Sequence, residues 1–178
     1  MKAKLFLVCG FPGSGKTRFA KMFAEQNDFA YLCIDDCYTE INGDELDHSN
    51  KFKVWQRFYY LINEYQENEV DVVVEAMSLD KYARHEFISW FPNFSHHLIV
   101  MTNDFEECCA NVAKRRRNIS REGMLKLKDR FSLPDRNERE EWDSGIMALF
   151  NEEKLVCTTL VSTKDNFDKS LLKGVVWL

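Results

Sequence analysis

The octet Gly10-Phe11-Pro12-Gly13-Ser14-Gly15-Lys16-Thr17 restricts this 178-residue chain more than any other feature. It follows a short apolar run, residues 4–9, and precedes a stripe with helical spacing, Phe19, Met22 and Phe23. G-x-x-x-x-G-K-T between a strand and a helix is a phosphate-binding loop. Glycines permit the positive-φ turns that aim successive backbone N–H groups at one anion. The helix that follows adds the partial positive charge of its amino end. On this reading Gly13, Ser14, Gly15, Lys16 and Thr17 bind a nucleoside triphosphate. Lys16 reaches the β and γ phosphates, and the Thr17 hydroxyl ligates Mg²⁺.

The rest of the chain alternates in the same way. Apolar runs recur at residues 4–9, 29–34, 70–75, 97–101 and 155–161, and helical stripes separate them. One stripe joins Phe52, Trp55, Phe58, Tyr59, Ile62 and Tyr65, and another joins Phe105, Cys108, Cys109, Val112 and Ala113. The runs are continuous rather than alternating, as strands covered by helices on both faces require. The pattern predicts an α/β fold with a five-stranded parallel sheet, whose ligands gather at the carboxyl ends of the strands. No linker or internal repeat interrupts it, so residues 1–178 are expected to form one domain.

Composition removes several classes. With 45% hydrophobic and 30% charged residues, 7 Gly and 3 Pro, the chain is neither disordered nor fibrous. No run approaches the ~20 apolar residues of a membrane span. The lysine-flanked start, residues 1–9, ends in a Gly/Lys loop where a cleavage site would belong, so a cytoplasmic protein is expected. The six cysteines form no C-x-x-C pair and no histidine has a Glu-x-x-His partner. Free thiols used as small core residues are therefore expected, and no zinc.

Acids stand at two further strand ends. Asp35 and Asp36 follow the second run, where either could take a proton from a substrate hydroxyl or hold the metal's water shell. A helix cap is the plainer use of the same position. Glu75 ends the third run, where an acid can face the metal. Between residues 111 and 130, eight Lys and Arg face only Glu122 and Asp129, a net +6 in a chain whose total is −5. A helix face with a basic carboxyl end explains one or two of these charges. A lid that closes over a transferring phosphoryl group explains more.

Taken together, the octet, the Asp35-Asp36-Cys37-Tyr38 element and Arg116-Arg117-Asn118-Ile119-Ser120-Arg121 resemble the polynucleotide 5′-hydroxyl kinase group of P-loop phosphotransferases, above all the phage-type kinase domain. The resemblance covers about residues 4–131. It implies a P-loop NTPase three-layer sandwich with a helical lid at 114–131, ATP and Mg²⁺ as cofactors, and a polynucleotide, DNA or RNA, as acceptor. Counting from the lysine and matching Tyr38 puts the general base on Asp36, the expected base. Matching the acid pair as such puts it on Asp35. The family's lid arginines fall on Arg117 and Arg121, and its metal-facing strand-end acid on Glu75. Two departures lie on the acceptor side: Thr39 stands where the family has an arginine, and the Thr-Asn pair after the third strand is missing. By analogy with nucleoside monophosphate kinases, Ser162-Thr163-Lys164 would border the adenine.

Three functions follow in order of expectation. The first is an ATP-dependent kinase acting on a hydroxyl of a nucleic acid, at a 5′ end or on a hydroxymethylated base as in related phage DNA modification. The second is a kinase of a nucleoside, nucleotide or other small hydroxyl compound. The third is a nucleotide-binding module or hydrolysing switch with no acceptor but water, although the guanine signature Asn-Lys-x-Asp is absent from the sequence.

Overall fold

The computed structural model describes residues 2–115, 119–160, 164 and 167–178. Its centre is a seven-stranded sheet in the order β2-β3-β1-β4-β5-β6-β7. The strands are β1 (Lys4–Gly10), β2 (Ala30–Cys33), β3 (Val72–Glu75), β4 (Ser95–Met101), β5 (Ser144–Asn151), β6 (Lys154–Thr159) and β7 (Val176–Trp177). The first five run parallel, and β6 turns back antiparallel to β5.

The sheet corrects the five-stranded expectation in two ways. The fifth apolar run named from sequence, 155–161, is the antiparallel strand β6. The fifth parallel strand is β5, whose Met147, Ala148 and Leu149 are helix formers by intrinsic propensity. Pairing on both sides, with β4 and β6, overrides that preference.

Helices α1 (Lys16–Asn27), α2 (Ile34–Asn42), α3 (Lys51–Glu67), α4 (Lys81–Trp90), α5 (Phe105–Ala113), α6 (Arg121–Arg130) and α7 (Arg136–Glu141) connect these strands. The alternation of β1 sorts them into layers. Leu5, Leu7 and Cys9 face a core shared with Val54, Phe58 and Ile62 of α3 and Phe87 of α4. Phe6 and Val8 face the opposite core, with Phe19, Ala20 and Phe23 of α1. Both faces of β1 are thereby buried, which is why its sequence shows no polar alternation. Five of the six cysteines are buried, all six are free, and Cys109 is half-buried. Among the described residues, no helix is long and apolar enough to cross a membrane.

The strand order reverses direction at β1: the chain leaves it toward β3 and β2, then returns past it to β4. Such a switch point opens a crevice at the carboxyl ends of the strands, and the octet begins there. A smaller cluster closes over it: Phe11, Leu79, Cys108, Val112 and Met124 are buried together, with Ile119, Leu127 and Phe131 against them. The segment expected to be a lid thus docks through apolar side chains of α5 and α6.

Candidate active site

The loop between β1 and α1 is fixed by its backbone. Gly13 has φ +82, and a Cβ placed there would lie 2.4 Å from the carbonyl oxygen of Cys108 in α5. Only glycine fits both the turn and that approach. The Asn111 amide, also from α5, donates to the Gly13 carbonyl at 3.1 Å. The Ser14 hydroxyl is buried with no hydrogen-bond partner among the described residues. Such a donor is costly to leave unmet, and a phosphate oxygen would satisfy it. Lys16 opens α1 and donates to the Phe11 carbonyl at 3.0 Å, so its ammonium lies across the loop. Burial lowers its pKa below the ordinary lysine range, while Glu75, Cys9 and Asp35 act to keep it charged and Arg115 opposes them.

Beside the lysine, the Thr17 hydroxyl donates to Glu75 Oε1 at 2.7 Å. Tyr31 donates to the other oxygen, Oε2, at 2.6 Å. Burial first, then Cys33 and Glu75, pushes the Tyr31 phenol well above its usual range, so it remains a donor to the carboxylate. Glu75 is buried, and its partners fix both of its oxygens toward α1 and β2. A hydroxyl and one carboxylate, both hard oxygen donors, are the partial set that Mg²⁺ completes with water and phosphate. No group of three or more His, Cys, Asp or Glu that could hold a metal occurs among the described residues. Burial raises the Cys9 and Cys33 thiols to about 12, which leaves neither as a nucleophile at neutral pH.

The two aspartates part company. Both lie in the first turn of α2, where acids suit the helix dipole. Asp35 is half-buried and close enough to Lys16 and Cys33 to act on the ionisation of both. Asp36 is exposed and acts on the buried Cys37 thiol. Adjacent residues of a helix point about 100° apart, so the two carboxylates stand in different surroundings.

Arg121, expected as a lid arginine, begins α6 and is engaged with α5. Its Nη1 and Nη2 each lie 2.7 Å from an oxygen of Glu106, and its guanidinium sits 5.8 Å from the centre of the Phe105 ring. Other lid cations are engaged too. Lys126 meets Glu122 at 2.8 Å, Arg130 meets Asp80 at 3.6 Å, and Lys128 lies 4.6 Å over Phe105. Arg117, the second expected lid arginine, lies outside the described residues.

Ser162 and Thr163 of the expected adenine loop also lie outside the described residues. Lys164 contradicts the expectation directly: it donates to the Glu141 carbonyl at 3.0 Å and lies 3.8 Å from Asp143. Those residues precede β5, at the end of the sheet away from the phosphate loop. The antiparallel return of β6 carries the chain there.

Sequence reasoning missed four contributors: Tyr31, Asn111, and the pair Arg84 and Glu138. Arg84 of α4 is fully buried, with Nε 2.6 Å and Nη2 2.8 Å from the two oxygens of Glu138 in α7. Its Nη1 donates to the carbonyls of Ser78 and Leu79, at 3.3 and 3.1 Å. This ties the segment after the lid to the turn after Glu75, where Ser78 adopts a left-handed φ of 38. A charged residue on an otherwise ordinary helix carries no sequence signal of burial. The pair is known only once the helices are packed.

The same fold occurs in solved structures. They include Kti12 from Chaetomium thermophilum in complex with ADP-AlF3 (TM-score 0.61, 16% identity, 84% of this chain and 90% of that one). A sugar kinase from Janibacter sp. HTCC2649 is similar (TM-score 0.60, 16% identity, 82% and 84%). A third is a chain of the Pnkp1/Rnl/Hen1 RNA repair complex (TM-score 0.60, 16% identity, 74% of this chain and 47% of that one). No curated protein matches the chain in sequence. The model of the AAA domain family AAA_33 matches residues 5–134, which hold the phosphate loop, both aspartates, Glu75 and α6. The chain, with its phosphate-binding loop and parallel-dominated α/β sheet, belongs to that family.

Proposed function

We propose that the chain is an ATP- and Mg²⁺-dependent kinase that transfers the γ-phosphoryl group to an alcohol. One observation carries this reading. Lys16, the Thr17–Glu75 pair and Asp35 converge at the carboxyl ends of three adjacent strands, β1, β3 and β2. A phosphate grip, a partial metal site and a base therefore line one crevice. The backbone from Gly13 to Thr17 cradles the phosphates, and Lys16 leaves the Phe11 carbonyl to hold the β–γ oxygens. Thr17 and Glu75 would hold Mg²⁺, which supplies charge neutralisation on those oxygens when bound. Asp35, rather than the exposed Asp36, accepts the alcohol proton as the oxygen attacks the γ phosphorus. The bond to the β-phosphate oxygen breaks, and ADP leaves. Arg121 is engaged by Glu106 in place of the phosphoryl contact expected of it.

For the acceptor, the resemblance favours a polynucleotide. A specific observation favours the second reading, a small hydroxyl compound. Arg121 and Arg130 are each paired with a carboxylate outside the segment, so it presents less free charge to a phosphate backbone than its net +6 suggests. The sugar kinase among the structural neighbours agrees with that reading, and the RNA repair complex with the first. The test is incubation with γ-labelled ATP, Mg²⁺ and a panel of oligonucleotides, nucleosides and sugars. Label on a small compound supports the second acceptor, and label on oligonucleotide ends supports the first. Label released only as free phosphate overturns the kinase reading.

A further inference from the structure

The nucleobase is left without a seat once Lys164 proves to lie at the other end of the sheet. At the carboxyl end, beside the phosphate loop, stands the β5–β6 hairpin instead. Phe150 of β5 lies against Gly15, where an added Cβ would meet the ring at 3.0 Å and φ is +95. Above that ring sits Arg18 of α1, its guanidinium carbon 4.1 Å from the centroid. Its Nη2 is held 2.7 Å from Glu153 Oε2, across the hairpin turn.

Arg18 comes two residues after Lys16 and leaves the helix about 200° around from it. Lys16 crosses back over the loop while Arg18 leans toward β5, so the two cations serve different ends of one ligand. The guanidinium lies over the Phe150 ring and is tethered by Nη2 to Glu153, so both contacts act to hold it in place. The side chain is still 49% exposed, which leaves it accessible to a ligand. An exposed ion pair contributes little to stability, so holding this plane has little value to the fold alone.

We infer that Arg18, backed by Phe150 and braced by Glu153, is the shelf on which the base of a bound nucleoside triphosphate stacks. This rests on the triphosphate reading above. Planar guanidinium groups and aromatic rings are the surfaces on which bases stack, and such stacking tolerates different bases. The hairpin thus supplies base affinity with little discrimination between adenine and guanine.

The test compares binding of ATP, GTP and inorganic tripolyphosphate, each with Mg²⁺, by calorimetry. Wild type is expected to bind ATP and GTP alike, and both roughly 5- to 100-fold tighter than tripolyphosphate. Arg18→Ala should remove most of that preference and leave tripolyphosphate affinity unchanged. Arg18→Lys should do the same, because it keeps the charge and loses the plane. Phe150→Leu should give a partial loss. Equal weakening of ATP and tripolyphosphate in Arg18→Ala would make Arg18 a phosphate ligand and overturn the inference, as would an undiminished preference for ATP. Failure of wild type to bind either compound would instead overturn the triphosphate reading itself.

Discussion

The phosphate loop and the lid are neighbours held by opposite means. The loop is fixed by close backbone approaches: a Cβ on Gly13 would meet a main-chain carbonyl at 2.4 Å, and a main-chain atom cannot swing aside. The lid segment is held by a small apolar cluster around Met124, while its ion pairs, such as Arg121 with Glu106, join exposed side chains that contribute little. Backbone geometry cannot be retuned by a single substitution, whereas exposed charges can. On the proposed function, the loop side grips phosphate and the lid side is where the acceptor can vary.

The contrast can be broken first on the loop side. Lys16→Ala should lower turnover by about 10²–10³-fold or more, as for loss of a preorganised charge on the transferring group. Steady-state phosphorylation assays with circular dichroism as a fold control would check this. The join between the two regions comes next. Replacing Glu138 by Gln leaves Arg84 buried and unpaired, and should cost about 3–5 kcal/mol in urea unfolding. A much smaller loss would mean that the carbonyls of Ser78 and Leu79 already satisfy the guanidinium.

A control lies at the far end of the sheet. Burial lowers His97 from 6.5 to about 4, against the pull of Asp143. Its pKa is lower folded than unfolded, so between those values the unfolded chain binds more protons and stability falls as pH drops from 6.5 toward 4. The loss is on the order of 3 kcal/mol. His97→Asn should flatten that slope in urea midpoints measured at pH 7.5 and 4.5. An unchanged slope would assign the acid sensitivity to other groups. The smallest effect belongs to the lid: Glu106→Gln should leave the unfolding midpoint at the wild-type value, because exposed ion pairs contribute little. A clear drop would show that charge, not the Met124 cluster, docks the lid.

Much of the loop side was legible because local chemistry dictates it. The octet, the strand before it and the helix after it are contiguous in sequence, and Glu75 closes an apolar run. What was illegible depends on packing between distant segments. Strand β5 is written in Met, Ala and Leu and becomes a strand only by pairing on both sides. The direction of β6, and with it the fate of Lys164, follows from that same pairing. The lid charges were countable in the sequence, but their carboxylate partners on other elements were not: Glu106 lies 15 residues from Arg121, and Asp80 lies on the turn before α4. The proposed choice between Asp35 and Asp36 depends on helix packing and exposure that a residue count does not contain.

That choice gives the most direct test of the account. Single-turnover transfer from γ-labelled ATP should be measured for Asp35→Asn and Asp36→Asn with the acceptor that wild type labels, alongside ATP binding by calorimetry. Asp35→Asn should bind ATP normally and transfer about 10²–10⁴-fold more slowly, while Asp36→Asn stays near the wild-type rate. Near-wild-type transfer by Asp35→Asn would contradict the assignment of Asp35 as the base at the mouth of the phosphate loop.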